Sequence, residues 1–154
     1  MQHLEIFDVV VVGGGPAGAT AAADLAAKGR SVLLLDRDGR IKPCGGAIPP
    51  RLIRDFVIPD HLLCARIGAA RMIPPSDRHV DMPVENDGFV GMVDREVFDE
   101  FLRVRAVEQG SVRRNATFES IDRDADGTAI VRYRAKTALP AEQAVRARMV
   151  IGAD

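Results

Sequence analysis

The 154-residue sequence has no tryptophan, one tyrosine, two cysteines and three histidines, and it carries almost no excess of either charge. Each shortage narrows the field. With a formal net charge of -1, no broad basic field is available to hold nucleic acid. Cys44 and Cys64 have no metal-ligand spacing, and His3, His61 and His79 lie far from them in sequence, so no metal site is expected. Two cysteines allow one disulfide on count alone, but nothing suggests an oxidising compartment. The apolar run Val9 to Val12 is far too short to cross a membrane, and its polar lead does not resemble a signal peptide. The chain reads as cytoplasmic, and 47% hydrophobic residues are enough for a real core.

What is present is concentrated at the start. "IFDVVVVGGG" is a β-branched run ending in glycine, the mark of a strand buried on both faces. "PAGATAAADLAAKG" follows as a helix, with proline in its first turn and Gly29 as its stop. "RSVLLLD" is a second buried strand, which makes a βαβ unit with a parallel pair. Residues 37 to 60 read as irregular with a short helix near Arg51 to Phe56, and residues 65 to 93 as short strands and turns. "DREVFDEFLRVRAVEQG" reads as a helix whose apolar side is Val97, Phe98, Phe101, Leu102 and Val104. Three extended segments follow, the first two joined by a turn at "DADG". Arg103, Arg105, Arg113 and Arg114 stand among Glu100, Glu108 and Glu119, and read as a solvated mixed-charge face.

Gly13, Gly15 and Gly18 form G-x-G-x-x-G between a strand and a helix, the context that gives this pattern meaning. The first glycine permits the turn, the second lets pyrophosphate approach the backbone, and the third lets helix and strand pack closely. Pro16 and Ala17 open the helix, whose N-terminus offers N–H groups and a positive dipole end to phosphates. Asp36, 18 residues past Gly18, ends the second strand where a carboxylate can accept ribose hydroxyls. Together they point to an ADP-containing cofactor. Spacing alone does not separate FAD from NAD. The irregular segment after the second strand favours FAD, as does Arg95 at the opening of a helix; the alternative for Arg95 is a solvent pair with Asp94 or Asp99.

Taken together, "DVVVVGGGPAGATAAADLAAKG", Asp36, "VDREVFDEFL" and "RMVIGAD" resemble the FAD-dependent oxidoreductases of the para-hydroxybenzoate hydroxylase structural group. "KPCGGAIPP" at 42–50 is similar to the segment that marks geranylgeranyl reductases, above all their chlorophyll and bacteriochlorophyll branch. The resemblance implies an α/β, Rossmann-like FAD-binding domain, its parallel sheet joined by a β-meander crossover. It implies saturation of a geranylgeranyl chain to phytyl, on a geranylgeranylated pigment or on geranylgeranyl diphosphate. Gly13, Gly15, Pro16, Ala17 and Gly18 would cradle FAD pyrophosphate, Asp36 the ribose and Arg37 the adenine end. Arg95 and the Cys44-Gly45-Gly46 loop would meet the cofactor, with the thiol facing a confined apolar space. NADPH would be a transient electron donor, and a ferredoxin-type donor stays open.

Cys44 is the one catalytic candidate, and no residue identifies itself as the proton donor. The thiol lacks a C-x-x-C partner, although Lys42 would lower its pKa if close, so a positional role is favoured over covalent catalysis. The resemblance implies longer proteins. Residues 1–154 are thus expected to be the N-terminal part of the FAD-binding domain, inactive alone, with a substrate-side β segment starting at about 65–93. So apolar a substrate is compatible with peripheral contact at a photosynthetic membrane; the residues leave the oligomeric state open. Two other readings stay open: a flavin monooxygenase of the same architecture, and a non-catalytic FAD-binding module.

Overall fold

The computed structural model describes residues 4–38, 43–76, 78–84, 88–137 and 141–153, which form two compact units, 1–40 with 99–154, and 41–98. The first unit begins with strand β1 (Ile6–Val12), helix α1 (Pro16–Ala27) and strand β2 (Val32–Asp36). The strands pair in parallel, Val9 to Val12 against Val32 to Leu35. Gly29, at φ +77°, takes the left-handed backbone that ends α1.

Helix α3 (Arg95–Glu108) belongs to this unit from Asp99 onward, as do three long strands, β8 (Val112–Arg123), β9 (Ala129–Ala135) and β10 (Glu142–Gly152). Strands β8 and β10 each serve two partners. Val112 to Asn115 of β8 extend the parallel sheet beside β2, while Ala116 to Arg123 turn back antiparallel on β9. Glu142 to Ala147 of β10 pair with β9, and Arg146 to Gly152 run parallel to β1. The five strands therefore close on themselves in the order β1-β10-β9-β8-β2. This is the parallel sheet with a β-meander crossover expected from the sequence.

Alternation along β2 explains why the sheet needs cover on both faces. Val32 and Leu34 pack with Val9, Val11 and the small residues Ala22, Ala23 and Ala26 of α1. Leu33 and Leu35 pack the other way, with Val10, Val131, Tyr133 and Val145. The "DADG" turn falls between β8 and β9 as expected, with Gly127 at φ +83°.

The expected apolar side of α3 is corrected. Phe98, Leu102 and Ala106 are buried, whereas Val97 is 55% and Val104 45% exposed. Steps of four residues keep 98, 102 and 106 in one stripe, and 99 and 103 flank it, so Asp99 and Arg103 are buried where valines were expected.

In the second unit, β3 (Ala47–Ile48), α2 (Pro50–Asp55), a single 3₁₀ turn (Asp60–Leu62), β4 (Leu63–Ile67), β5 (Ala69–Met72), β6 (Val80–Pro83) and β7 (Val90–Val93) precede α3. Strands β3 and β4 flank β7 antiparallel, and β5 pairs with β6. The segment read as irregular thus contains a strand, β3, too short to announce itself. Among the described residues no helix is long and apolar enough to cross a membrane.

Candidate nucleotide site

The glycine turn is set by contacts within the protein. Gly13 has φ +108°, and its N–H donates to Leu35 O at 2.8 Å, which ties the turn to the end of β2. A Cβ on Gly18 would lie 1.9 Å from Gly13 O and 3.1 Å from Ala153 Cβ, so only glycine lets α1 start this close to the turn. A Cβ on Gly14 would lie 2.4 Å from Asp36 Cγ. Gly14 was not singled out in the sequence; a glycine filling the x between Gly13 and Gly15 was the signal that could have found it.

Gly15 differs from these. A Cβ there would meet nothing within 4 Å, and its φ of -70° suits any residue. The protein does not require glycine at this position; a ligand lying against the backbone would. Gly15 caps α1 with no side-chain hydrogen bond, and no acidic residue stands in the first turn. The first helical bond is Ala19 N–H to Gly15 O at 2.9 Å, so the preceding amides have no acceptor inside the helix. Open backbone, unsatisfied amides and a positive dipole end are what a pyrophosphate needs.

Asp36 lies beside this turn. Its Oδ1 accepts the Gly14 N–H at 3.1 Å. Its Oδ2 is 2.7 Å from Arg103 Nε, yet that single N–H is directed to Gly14 O at 2.8 Å. The Asp36 contact is therefore an ion pair, and Oδ2 has no aligned hydrogen-bond partner among the described residues. Arg103, expected on a solvated face, is 9% exposed. Its Nη1 reaches Glu100 Oε2 at 3.3 Å, and Glu100 is gripped by Arg113 through two bonds of 2.6 and 3.0 Å. Hydrogen bonds from Arg113 hold the Glu100 carboxyl below its ordinary range. Arg113 also donates to Asp38 at 3.0 Å, and Asn115 donates to Asp38 at 2.6 Å.

A cleft of about 180 Å³ opens at the C-terminal ends of β1 and β2, where Asp36 and Arg37 meet Ala116, Thr117 and Phe118 of β8. The β8 residues carried no motif, and only the topology brings them here. Gly13, Gly15, Pro16, Ala17, Gly18, Asp36 and Arg37 all belong to the first unit, and Gly13, Asp36 and Arg37 line the cleft.

In the second unit, Val93 N–H donates to Gly46 O at 2.9 Å, and Arg95 opens α3 two residues later. The Cys44-Gly45-Gly46 loop and the start of α3 are therefore neighbours. Of the two loop glycines expected to make room for a flat ring, Gly46 also has a reason within the protein to be glycine. It has φ +73°, and a Cβ would lie 2.1 Å from Val93 O, so packing against β7 already demands glycine. Gly45 meets nothing within 4 Å. Cys44 is exposed, with the Gly46 N–H directed at its Sγ from 3.5 Å. Lys42 lies outside the described residues.

Comparison with known proteins defines the class first. Residues 7–151 match the family described as pyridine nucleotide-disulphide oxidoreductase, and the chain belongs to that family. Within it, the resemblance to the geranylgeranyl reductases stands. The chain is 60% identical over 148 residues to a geranylgeranyl diphosphate reductase of Rhodobacter capsulatus, covering 96% of this chain and 37% of that protein. It is 40% identical to the chloroplastic geranylgeranyl diphosphate reductase of Arabidopsis thaliana, over 74% of this chain and 25% of that one. A solved geranylgeranyl bacteriochlorophyll reductase-like protein of Thermoplasma acidophilum superposes with a TM-score of 0.86 at 25% identity, over 99% of this chain and 40% of that one.

Proposed function

We propose that this chain supplies the ADP-binding part of an FAD-dependent geranylgeranyl reductase, which saturates a geranylgeranyl chain to phytyl in chlorophyll or bacteriochlorophyll formation. The 60% identity to the Rhodobacter capsulatus reductase, spread over nearly the whole chain, carries the reading. The residues present suit the cofactor: Gly15 leaves open space, and the amides before Ala19 await an acceptor.

Gly13, Gly15 and Gly18, with Pro16 and Ala17, hold the pyrophosphate through backbone N–H groups at the start of α1. Asp36 accepts the adenosine ribose hydroxyls, and its charge rejects a 2′-phosphate. Arg37 borders the adenine end of the cleft. The Cys44-Gly45 turn and Arg95 serve the rest of the cofactor, with Cys44 positioning rather than forming a covalent bond. Bound and reduced, FAD would supply the hydride that adds to one carbon of a double bond, while a proton adds to the other. NADPH is the transient donor, visiting without a fingerprint of its own because FAD takes the single one at Gly13, Gly15 and Gly18. The enzyme works from the cytoplasm, in peripheral contact with the membrane that holds its apolar substrate.

The test is product mass. The full-length protein is given FAD and NADPH with either a geranylgeranyl-esterified pigment or geranylgeranyl diphosphate, and the alcohol is weighed. Hydrogens gained in pairs establish the reductase, and the substrate that gains them names its class. A gain of oxygen would instead make the protein a monooxygenase.

A further inference from the structure

Arg103 comes from α3, 67 residues beyond Asp36 in the chain, and reaches the middle of the glycine turn. The peptide at Gly14 is bracketed: its N–H binds Asp36 Oδ1 at 3.1 Å, and its carbonyl accepts Arg103 Nε–H at 2.8 Å. Both charged side chains are 11% exposed. Arg103 does not line the cleft, whereas Asp36 does. The guanidinium is itself fixed by Glu100, which is fixed by Arg113.

We propose that Arg103 is the positioning residue of the nucleotide site, setting the orientation in which Asp36 accepts a ribose. This rests on the reading of Asp36 as the ribose acceptor. A carboxylate with one oxygen tied to Gly14 and the other facing a cation cannot rotate without breaking one contact. Removing the cation leaves a buried anion with a single hydrogen bond, and the carboxylate turns toward water. Arg103 makes no contact in the cleft, but its bond to Gly14 O also steadies the turn assigned to phosphate. Its loss therefore lowers ADP affinity overall, and the ratio of ADP to 2′,3′-dideoxy-ADP isolates the effect on ribose. A residue with a purely structural role would lower stability and leave that recognition intact.

The experiment titrates ADP and 2′,3′-dideoxy-ADP into the full-length apoprotein by calorimetry. The wild type is expected to prefer ADP by about tenfold or more, the size of a hydrogen bond to a charged group. In R103Q that preference falls to within about twofold, while R103K, which keeps the charge without the forked geometry, retains an intermediate ratio. E100Q removes the charge from Arg103's anchor without uncovering Asp36. It gives a smaller loss of preference and serves if R103Q does not fold. An unchanged ADP preference in R103Q or E100Q, whatever the thermal midpoint, overturns the proposal. A wild type indifferent to the ribose hydroxyls overturns the reading of Asp36 instead, and does so before any variant is made.

Discussion

A Cβ placed on Gly18 would lie 1.9 Å from the carbonyl oxygen of Gly13, backbone against backbone, while one placed on Gly15 would touch nothing within 4 Å. Two glycines of one fingerprint are thus required for different reasons, and alanine separates them. Gly18→Ala is expected to destabilise the full-length protein by about 1–3 kcal/mol or more, since no flexible side chain can yield. Gly15→Ala should leave stability within about 0.5 kcal/mol. It should weaken ADP binding by roughly tenfold, the weight of one backbone-to-phosphate approach. Chemical denaturation and calorimetry read the two effects. Wild-type ADP affinity in Gly15→Ala would sink the pyrophosphate assignment.

The second pair of glycines divides in the same way. Gly46 sits at φ +73° with Val93 O in the path of any Cβ, so Gly46→Ala should cost about 1–3 kcal/mol through strain and collision. Gly45 has open space, so Gly45→Ala should leave the unfolding midpoint in place. If the loop meets the flavin, Gly45→Ala will also shift the visible absorption spectrum of bound FAD. An unaltered spectrum removes Gly45 from the cofactor site.

The βαβ unit was legible because every local signal agreed: the valine run, the glycine spacing, the alanine-rich helix and the acid at the end of β2. The meander was legible as three extended segments, but its closure was not. The alternation in β8 that suits pairing with β2 suits pairing with β9 equally well, and nothing local says where one partner gives way to the other. Arg103 was hidden for a related reason. Beside Glu100 and Arg105 it looks like surface charge, and only the fold brings Asp36 and Gly14 to it. Its position one residue beyond the Phe98, Leu102, Ala106 stripe was the signal available. Val97 and Val104 misled because they are apolar by type but lie outside that stripe.

The β8–β9 turn should carry part of the acid sensitivity. Asp126 accepts the Thr128 N–H at 2.9 Å and an Arg146 bond at 2.6 Å. The hydrogen bonds from Thr128, then the one from Arg146, lower its pKa from 3.8 to about 2. A carboxylate with a lower pKa in the folded state stabilises the fold above its unfolded pKa, and the contribution fades as pH falls through the folded value. The window is therefore pH 3.8 down to about 2. The gap in denaturation midpoint between wild type and Asp126→Asn should be constant at higher pH and shrink across that window. A gap that stays constant down to the lower limit would show that the pairing carries no proton linkage.

Tyr133 provides a prediction on the opposite face of the sheet. Its ring is buried in the core with Leu33, Leu35 and Val131. Its hydroxyl accepts from Arg114 Nη1 at 2.5 Å and donates to Gln143 Oε1 at 3.0 Å. Arg114 also lies 5.7 Å from the Phe7 ring and 5.9 Å from that of Tyr133. Tyr133→Phe keeps the packing and removes both hydrogen bonds, which should cost about 1–3 kcal/mol because Arg114 Nη1 loses its acceptor while Nη2 keeps Glu5. Leu33→Ala, which opens a cavity in the same layer, should cost about 2–5 kcal/mol. Asp36 and the glycine turn make no hydrogen bond to Tyr133, so ADP affinity of folded Tyr133→Phe should match the wild type. Denaturation and calorimetry on the same preparation measure both quantities. A fall in affinity alongside stability would mean that the meander core helps set the nucleotide cleft, through the Ala116 to Phe118 stretch of β8 that both share.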